Sequence, residues 1–285
     1  MNENYSGIIE YKAKIALKIS DYSRDSLFNA VNVFKGFVFK YEINGINRES
    51  MATCKVRKSR DRYIAYITFD VIATYPEVSI WNNPADVCED LKLYIGMMYD
   101  AALIAFPKMN YGCAYARITV DEYVDEDYYF DDPCQGLFSE KDLYGNMTLQ
   151  MAYDWLLNLK NTYTKSAYNA FSYIQNRDYC EKLIYSVKGL ECIYIPGERN
   201  GKKPKLKDYI SKLWPSISAD NIGIMYDKRS ETAHGDYEVG NIHDSDYCEP
   251  KEMQKWSVFS IEVLINTFRF LILHGKDEIR ELYCG

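Results

Sequence analysis

An α+β N-terminal domain followed by an all-α helical bundle is the fold class that the sequence predicts. In the first third of the chain, short runs of aromatic and β-branched residues alternate with charged residues, and this period of two favours strands. From Asn146 onward the apolar residues recur every three or four positions, which favours helices. A polar stretch at 131–143 separates the two patterns. We therefore predict an α+β sensor or regulatory domain at 1–135 and a helical domain at 143–285.

The first domain is predicted to combine strands with one helix. Asn44-Gly45 is a turn signal between two strand-like runs. Asn83-Pro84 is expected to open a helix, because Asn is a favoured N-cap and Pro fits the first helical turn. This helix is expected to end before Pro107. The predicted strands span 11–19, 31–43, 62–74 and 110–120.

The second domain is predicted to be entirely helical. Pro196-Gly197 should end one of its helices, because Gly favours the left-handed conformation that follows a helix. The closing helix contains Glu262 and Arg269 and has helical apolar spacing, so we interpret it as a core helix and predict no membrane span. The predicted helices span 147–174, 178–195, 205–214 and 222–234, and the last begins near Pro250.

Composition indicates a globular protein, and the net charge excludes a general electrostatic attraction to nucleic acid. The chain has 285 residues, of which 47% are hydrophobic and 26% charged, as in a globular protein long enough for two domains. The formal net charge of −7 gives no global attraction to nucleic acid, so any RNA binding must come from a local basic patch.

The cysteines and histidines do not form a metal-type pattern. The eight cysteines include no C-x-x-C pair, and they do not cluster with the three histidines. The N-terminus also lacks a basic segment followed by an apolar core. We therefore predict reduced thiols in a cytoplasmic protein, with no metal site and no cofactor.

A pattern suited to phosphodiester chemistry lies at 224–236, where Arg229 and His234 are separated by four residues and Gly235 follows. Histidine can take and give a proton near neutral pH, because its unperturbed pKa is about 6.5. Arginine is permanently charged, and its planar fork of donors fits a phosphate. The pair is a minimal set for cleaving a phosphodiester without a metal.

Helical geometry determines how these side chains can cooperate. Gly235 favours the end of a helix, so His234 is expected in the last turn, where the helix dipole favours a protonated imidazole. Arg229 and His234 are roughly 140° apart around the axis. Ser230 shares the face of His234, and Glu231 lies one turn before it. A compact centre would need the arginine to wrap round, or a second copy of the helix across a two-fold axis. The candidate catalytic residues are Arg229, His234, Ser230 and Glu231.

The run Tyr226-Asp-Lys-Arg229-Ser-Glu-Thr-Ala-His234-Gly235 resembles the signature of HEPN domains, in particular of the branch called Apea-like HEPN. The upstream run Val187-Lys-Gly-Leu190-Glu191-Cys-Ile-Tyr194 is similar to the Leu-Glu helix of that branch. The resemblance covers roughly the last half of the chain. It implies a HEPN-like helical bundle that dimerises and, in many members, acts as a metal-independent endoribonuclease in phage defence or in toxin systems.

Carried over to this chain, the resemblance gives the two motif residues separate roles. Arg229 would bind and stabilise the scissile phosphate, and His234 would act on the ribose 2′-hydroxyl or on the leaving oxygen. Ser230 stands where catalytic members often have Asn, Asp or His. It can donate and accept a hydrogen bond, but it cannot carry charge.

Charged segments outside the motif have two interpretations each. The most basic stretch could follow an RNA backbone, or it could be a solvated loop and helix start. A second basic cluster at 55–62 is expected to be a charged hairpin tip, with a substrate or partner surface as the alternative. The acidic segment at 121–132 is expected to be a solvated interdomain segment, or a cover over a basic site. The candidate RNA-binding residues of the first stretch are Arg199, Lys202, Lys203, Lys205 and Lys207.

Two functions are therefore expected from the sequence. The first is a homodimeric ribonuclease with RNA as its partner, whose N-terminal domain responds to a phage-derived or host trigger. The alternative is a non-catalytic HEPN module that dimerises and binds RNA or a protein. In that case Arg229 and His234 would be structural, for instance in a polar cluster with Glu231 or Asp227.

Overall fold

A computed structural model of the chain describes residues 8–21, 31–59, 62–76, 83–106, 113–128, 147–174, 177–234 and 251–279. The chain divides into two compact units. The first holds the strands, the first long helix and Thr148–Asp154, and the second holds the helices from Trp155 onward. The predicted fold class, an α+β region followed by a helical one, is confirmed.

The first unit is built on an antiparallel sheet. Its strands lie in the order β4-β5-β1-β6-β7, and β2 and β3 form a separate two-stranded sheet. The strands are β1 (Ile8–Asp21), β2 (Val38–Ile43), β3 (Ile46–Met51), β4 (Thr53–Ser59), β5 (Arg62–Pro76), β6 (Cys113–Val120) and β7 (Tyr123–Tyr128).

Alternation along the strands gives this sheet one buried face. On the central strand β1, Ala13, Ile15 and Leu17 are buried, whereas Lys12 and Lys14, which alternate with Ala13 and Ile15, are exposed. Helix α1 (Pro84–Ala105) packs against β6, β7 and β2, and it supplies the buried residue Leu91. Its start is as predicted, because Asn83 is the N-cap and accepts hydrogen bonds from two backbone N–H groups.

Three predictions for the first unit need correction: one predicted strand, the charged hairpin tip and the solvated acidic segment. The run at 31–43 is extended only from Val38, because residues 31–34 are helical and Gly36 turns the chain with a φ of 76°. The basic cluster lies largely within β4, which pairs with β5 up to Ser59 opposite Arg62, and positions 60 and 61 lie outside the described residues. The acidic segment contains a strand, β7, in which Asp125 pairs with Lys92 of α1 at 2.9 Å.

The second unit consists of helices, and one helix predicted there is divided in the structure. The single helix expected at 147–174 is two helices, because Asn161 caps a new helix by accepting hydrogen bonds from the N–H groups of Tyr163 and Thr164. The helices after α1 are α2 (Leu149–Leu157), α3 (Thr162–Tyr173), α4 (Tyr179–Tyr194), α5 (Lys202–Leu213), α6 (Ala219–His234) and α7 (Lys251–His274).

Helix α2 is divided between the two units. Its residues up to Asp154 belong to the first unit, where Gln150 accepts a hydrogen bond from Val38 N at 2.8 Å and Asp154 pairs with Lys40 at 2.8 Å. The predicted boundary did not anticipate this assignment, because these two contacts join residues more than a hundred positions apart.

Helix α7 is a largely buried helix of the second unit. It is long and apolar enough to cross a membrane by length and composition, but most of its apolar window is buried inside the protein. It packs on α4, where Ser260 and Ser186 share a buried hydrogen bond of 2.5 Å. The helix therefore belongs to the core, as its apolar spacing predicts.

Candidate functional site

Helix α6 points Arg229 toward the interior of the helical unit. Ile222 and Met225 are fully buried, and Arg229 follows them at the spacing that keeps all three on one stripe of the helix. The arginine side chain is 23% exposed, so it lies at the edge of the apolar stripe, between core and solvent.

The partner of Arg229 is Glu191, which lies near the end of α4. Atom Nη2 of Arg229 is 3.6 Å from Oε1 of Glu191, and this side chain is only 9% exposed. Lys202, at the start of α5, donates a hydrogen bond of 2.7 Å to the other oxygen, Oε2. Two cations from two different helices thus converge on one nearly buried carboxylate.

The aromatic ring of Tyr226 completes this group, which we call the Glu191 cluster (Glu191, Lys202, Tyr226 and Arg229). The guanidinium carbon of Arg229 lies 5.8 Å from the centre of the Tyr226 ring, within the range of a cation–π contact. Burial raises the pKa of Tyr226, and the charge of Glu191 raises it further, against the opposing effect of Arg229 and Lys202. The phenol is therefore neutral at physiological pH and keeps its proton for donation.

Two buried atoms of the Glu191 cluster are left without a hydrogen bond. Within the described residues, neither Oε1 of Glu191 nor Nε of Arg229 has a hydrogen-bond partner. The 3.6 Å separation of the arginine and the carboxylate is an ionic contact too long for a hydrogen bond. Buried polar groups are rarely unsatisfied, so the guanidinium has an unused donor at this place.

The described residues define His234 only by its backbone. Helix α6 reaches His234 as its last residue, so the helical register between Arg229 and His234 is continuous. The imidazole and the predicted helix end at Gly235 lie outside the described part of the chain. The roughly 140° angle expected between the two positions therefore follows from the helix itself.

The other two candidate catalytic residues are partly exposed, and the structure does not bring them to the Glu191 cluster. Glu231 pairs with Lys228 at 3.0 Å, and Lys228 also pairs with Glu252 of α7 at 3.5 Å. Ser230 makes no hydrogen bond with its side chain among the described residues. A polar cluster joining Arg229 to Glu231 or Asp227 is therefore not what the structure contains, because Glu191 takes that place.

The basic stretch is more helical than predicted. Helix α5 begins at Lys202 instead of Lys205, after Gly201 with a left-handed φ of 63°. Arg199 precedes the helix and is exposed. The four lysines each pair with a carboxylate: Lys202 with Glu191, Lys203 with Asp227 at 2.6 Å, Lys205 with Glu198 at 2.7 Å and Lys207 with Asp220 at 3.5 Å.

These pairs do not exclude RNA binding by the same lysines. Apart from Lys202, whose partner Glu191 is nearly buried, these lysines form ion pairs that are partly exposed on both sides, and exposed ion pairs contribute only about 0–1 kcal/mol. A phosphate could therefore replace the carboxylate at small cost. The prediction that these residues contact RNA stays a prediction.

Sequence reasoning did not select Glu191 and Tyr226 as site residues, although signals for both were present. Glu191 is the acidic residue of the Leu-Glu run, and Tyr226 is the aromatic residue three positions before Arg229. Among the described residues, no group of three or more His, Cys, Asp and Glu side chains is arranged to hold a metal ion.

Comparisons with protein-family models, with curated proteins and with solved structures find no match for this chain. The HEPN resemblance therefore depends on the residues quoted for it.

Proposed function

We propose that this chain is a metal-independent endoribonuclease of the HEPN type, acting in the cytoplasm in phage defence or toxin-like growth arrest. The observation that supports this most is the convergence of Arg229 and Lys202 on the carboxylate of Glu191. A carboxylate between two cations occupies the kind of place that suits a phosphate. The unused Nε donor of Arg229 adds a further group for a phosphate oxygen.

In this proposal RNA is cleaved by attack of its own 2′-hydroxyl. The 2′-oxygen forms a bond to the adjacent phosphorus, and the bond from phosphorus to the 5′-oxygen breaks. One histidine takes the 2′-hydroxyl proton and a protonated one gives a proton to the leaving oxygen, as imidazole can do both near neutral pH. The products are a 2′,3′-cyclic phosphate and a 5′-hydroxyl, and Arg229 stabilises the charge that develops on the phosphate.

A homodimer gives this chemistry its two histidines. One copy of α6 carries Arg229 and His234 about 140° apart, so a single helix presents them in different directions. A second copy facing the first across a two-fold axis would place the arginine of one chain near the histidine of the other. The N-terminal unit would then respond to a phage-derived or host trigger, because an unrestrained cytoplasmic ribonuclease is toxic.

A second candidate function is a non-catalytic HEPN module that dimerises and binds RNA or a protein. The same ion pair favours it, because Arg229 in contact with a nearly buried carboxylate can serve to join α4 to α6. In this case Arg229 would contribute only to folding, and neither Arg229 nor His234 would take part in RNA cleavage.

A cleavage assay distinguishes the ribonuclease from the binding module. Purified full-length protein is incubated with a labelled single-stranded RNA in the presence of a chelator. The ribonuclease should give phosphatase-resistant cyclic phosphate ends, and Arg229→Ala and His234→Ala should each abolish them while the variants remain folded. Lys228→Ala is the matched control, because it removes the neighbouring cation of the same helix, whose partners are Glu231 and Glu252. Wild-type protein that leaves RNA intact in the presence and absence of phage lysate would favour the binding module.

The same variants can be compared by induced expression in a bacterial host. Growth arrest and RNA fragmentation by the wild type and Lys228→Ala, but not by Arg229→Ala or His234→Ala, would support the ribonuclease. Fragmentation that persists in His234→Ala would contradict the assigned role of the histidine.

A further inference from the structure

The solvent-facing side of the five-stranded sheet carries an excess of positive charge. Its cations come from three strands, at Lys12, Lys14, Lys18, Lys55, Arg57 and Arg117. Its carboxylates are Glu10, Asp70 and Glu126. The whole chain has a net charge of −7, so this face has the opposite sign to the protein that bears it.

The strand register concentrates the cations around one tyrosine. Tyr66 of β5 lies directly between Lys55 of β4 and Lys18 of β1. Directly opposite residues on neighbouring antiparallel strands have side chains on the same face, about 5 Å apart. Arg57 lies opposite Ile64 in the next row, on the same face. We call this end of the sheet the Tyr66 surface (Lys18, Lys55, Arg57, Ile64 and Tyr66).

The carboxylates of the face lie away from the Tyr66 surface. Glu126 is opposite Arg117 and forms an ion pair with it at 3.6 Å, and Asp70 is opposite Lys14. Within the described residues, Lys55 and Arg57 are exposed and have no ion-pair partner. This differs from α5, where each lysine of the basic stretch has a carboxylate beside it.

Protection of the sheet edge explains only part of this charge. Lysine and arginine on an edge strand such as β4 discourage unwanted pairing with other strands. The lysines of β1 lie on the central strand of the sheet, where no edge needs protection. An aromatic ring between two lysines is also not required for edge protection.

We propose that the Tyr66 surface binds single-stranded RNA. Lys18, Lys55 and Arg57 would contact phosphates, and the partly exposed Tyr66 ring would stack on an unpaired base. Bases of a duplex are already stacked on one another, so a tyrosine on an open sheet selects single strands. The choice of RNA over DNA rests on the proposed function, and the N-terminal unit would then recruit the substrate of the helical unit.

The test measures binding without cleavage. The full-length chain with Arg229→Ala and His234→Ala is titrated into a fluorescent single-stranded RNA of about twelve nucleotides, at several salt concentrations. In this background, Lys55→Glu with Arg57→Glu should weaken binding at least tenfold. It should also reduce the magnitude of the salt slope by about 1.4, because each lost phosphate contact removes about 0.7.

Two further variants separate stacking from charge. Tyr66→Leu should weaken binding roughly tenfold, without changing the salt slope, because it removes a stacking ring and no charge. Lys35→Glu with Lys165→Glu is the matched control, since it changes the net charge equally at two exposed lysines outside the sheet face and should leave affinity nearly unchanged. Thermal melting checks that each variant is folded. The variant with Lys55→Gln and Arg57→Gln removes the two positive charges without adding negative charges that would repel the RNA phosphates.

Several outcomes would overturn the proposal. Equal weakening by the control pair would show a general charge effect, and tighter binding of duplex RNA or of single-stranded DNA would contradict the assigned ligand. Competition by polyglutamate as strong as by RNA, with no effect of Tyr66→Leu, would identify an acidic protein as the partner instead. If wild-type protein never cleaves RNA but the Tyr66 variant loses RNA binding, this inference stands and the ribonuclease proposal fails. If wild-type protein cleaves RNA but the Tyr66 variant binds RNA as tightly as before, the ribonuclease proposal stands and this inference fails.

Discussion

Arg229 and Glu191 form an ionic contact in which Nη2 and Oε1 are 3.6 Å apart, although the same carboxylate holds Lys202 at 2.7 Å. The longer contact leaves the guanidinium Nε without a hydrogen bond among the described residues. The carboxylate therefore engages its lysine fully and its arginine only in part. If Arg229 binds phosphate, Glu191 competes with the substrate for it.

Replacing Glu191 by glutamine should raise RNA cleavage. Glu191→Gln keeps the shape of the side chain and removes the charge that attracts Arg229, so we expect kcat/KM to rise roughly tenfold, equivalent to about 1.4 kcal/mol. Initial rates on a labelled RNA in chelator measure the effect. Glu198→Gln is the matched control, because it makes the same change in the half-exposed pair with Lys205. A fall in rate with normal folding would mean that Glu191 holds Arg229 in its working position.

Double-mutant cycles should rank the two ion pairs of Glu191. The Lys202 pair is a short charge-assisted hydrogen bond, so we expect a coupling free energy of about 1–2 kcal/mol. The Arg229 pair is longer and should couple by less than about 1 kcal/mol. Urea unfolding of the single and double alanine variants gives both values. A stronger coupling for Arg229 than for Lys202 would favour the structural role of the arginine.

The sequence predicted those features of the fold that depend only on residues close to one another in the chain. The capping of α1 by Asn83 and the alternation of β1 required no distant partner, and both are found in the structure. The break before α3 was missed because residues 147–174 keep an apolar spacing throughout, and the cap at Asn161 interrupts it without a glycine or proline.

The sequence predicted only the part of the candidate site that lies within a single helix. Arg229 and His234 follow from the spacing within α6, whereas the Glu191 cluster joins residues of α4, α5 and α6. Which carboxylate meets Arg229 depends on how these three helices pack, and this packing has no signature in local periodicity. The Leu-Glu run identified the helix but not the contact.

Packing of α4 on its neighbours should depend on Gly189, two residues before Glu191. A Cβ at this position would lie 3.0 Å from Cδ2 of Leu264, which is fully buried, and 3.4 Å from the carbonyl oxygen of Ala167. Overpacking costs about 1–3 kcal/mol, more than the roughly 1 kcal/mol gained in helix propensity. Gly189→Ala should therefore lower the free energy of unfolding by about 1 kcal/mol.

Gly96→Ala is the matched control for Gly189→Ala, because it makes the same substitution inside α1, where a Cβ would meet nothing within 4 Å. It should raise the free energy of unfolding by about 0.5–1 kcal/mol. Equal effects of the two substitutions in urea unfolding would show that α4 does not depend on its close approach to α7.

The thiol of Cys88 should be unreactive in the folded protein. Burial, aided by the charge of Asp125, raises the pKa of Cys88 to about 11, and the side chain is fully buried. Since the thiolate is the nucleophile, little of it exists at pH 8, and alkylation should be far slower than at the partly exposed Cys54. Peptide-resolved mass spectrometry after iodoacetamide treatment measures both rates.

The same raised pKa predicts how stability changes with pH. The folded state holds the Cys88 proton more tightly than the unfolded state, so its contribution is fully present below about pH 9 and is lost as the pH rises toward 11. Cys88→Ala should therefore flatten the decline in stability between these values, although it lowers stability at neutral pH by removing a buried side chain. An unchanged slope, or alkylation of Cys88 as fast as that of Cys54 at pH 8, would show that helix α1 does not keep this thiol buried.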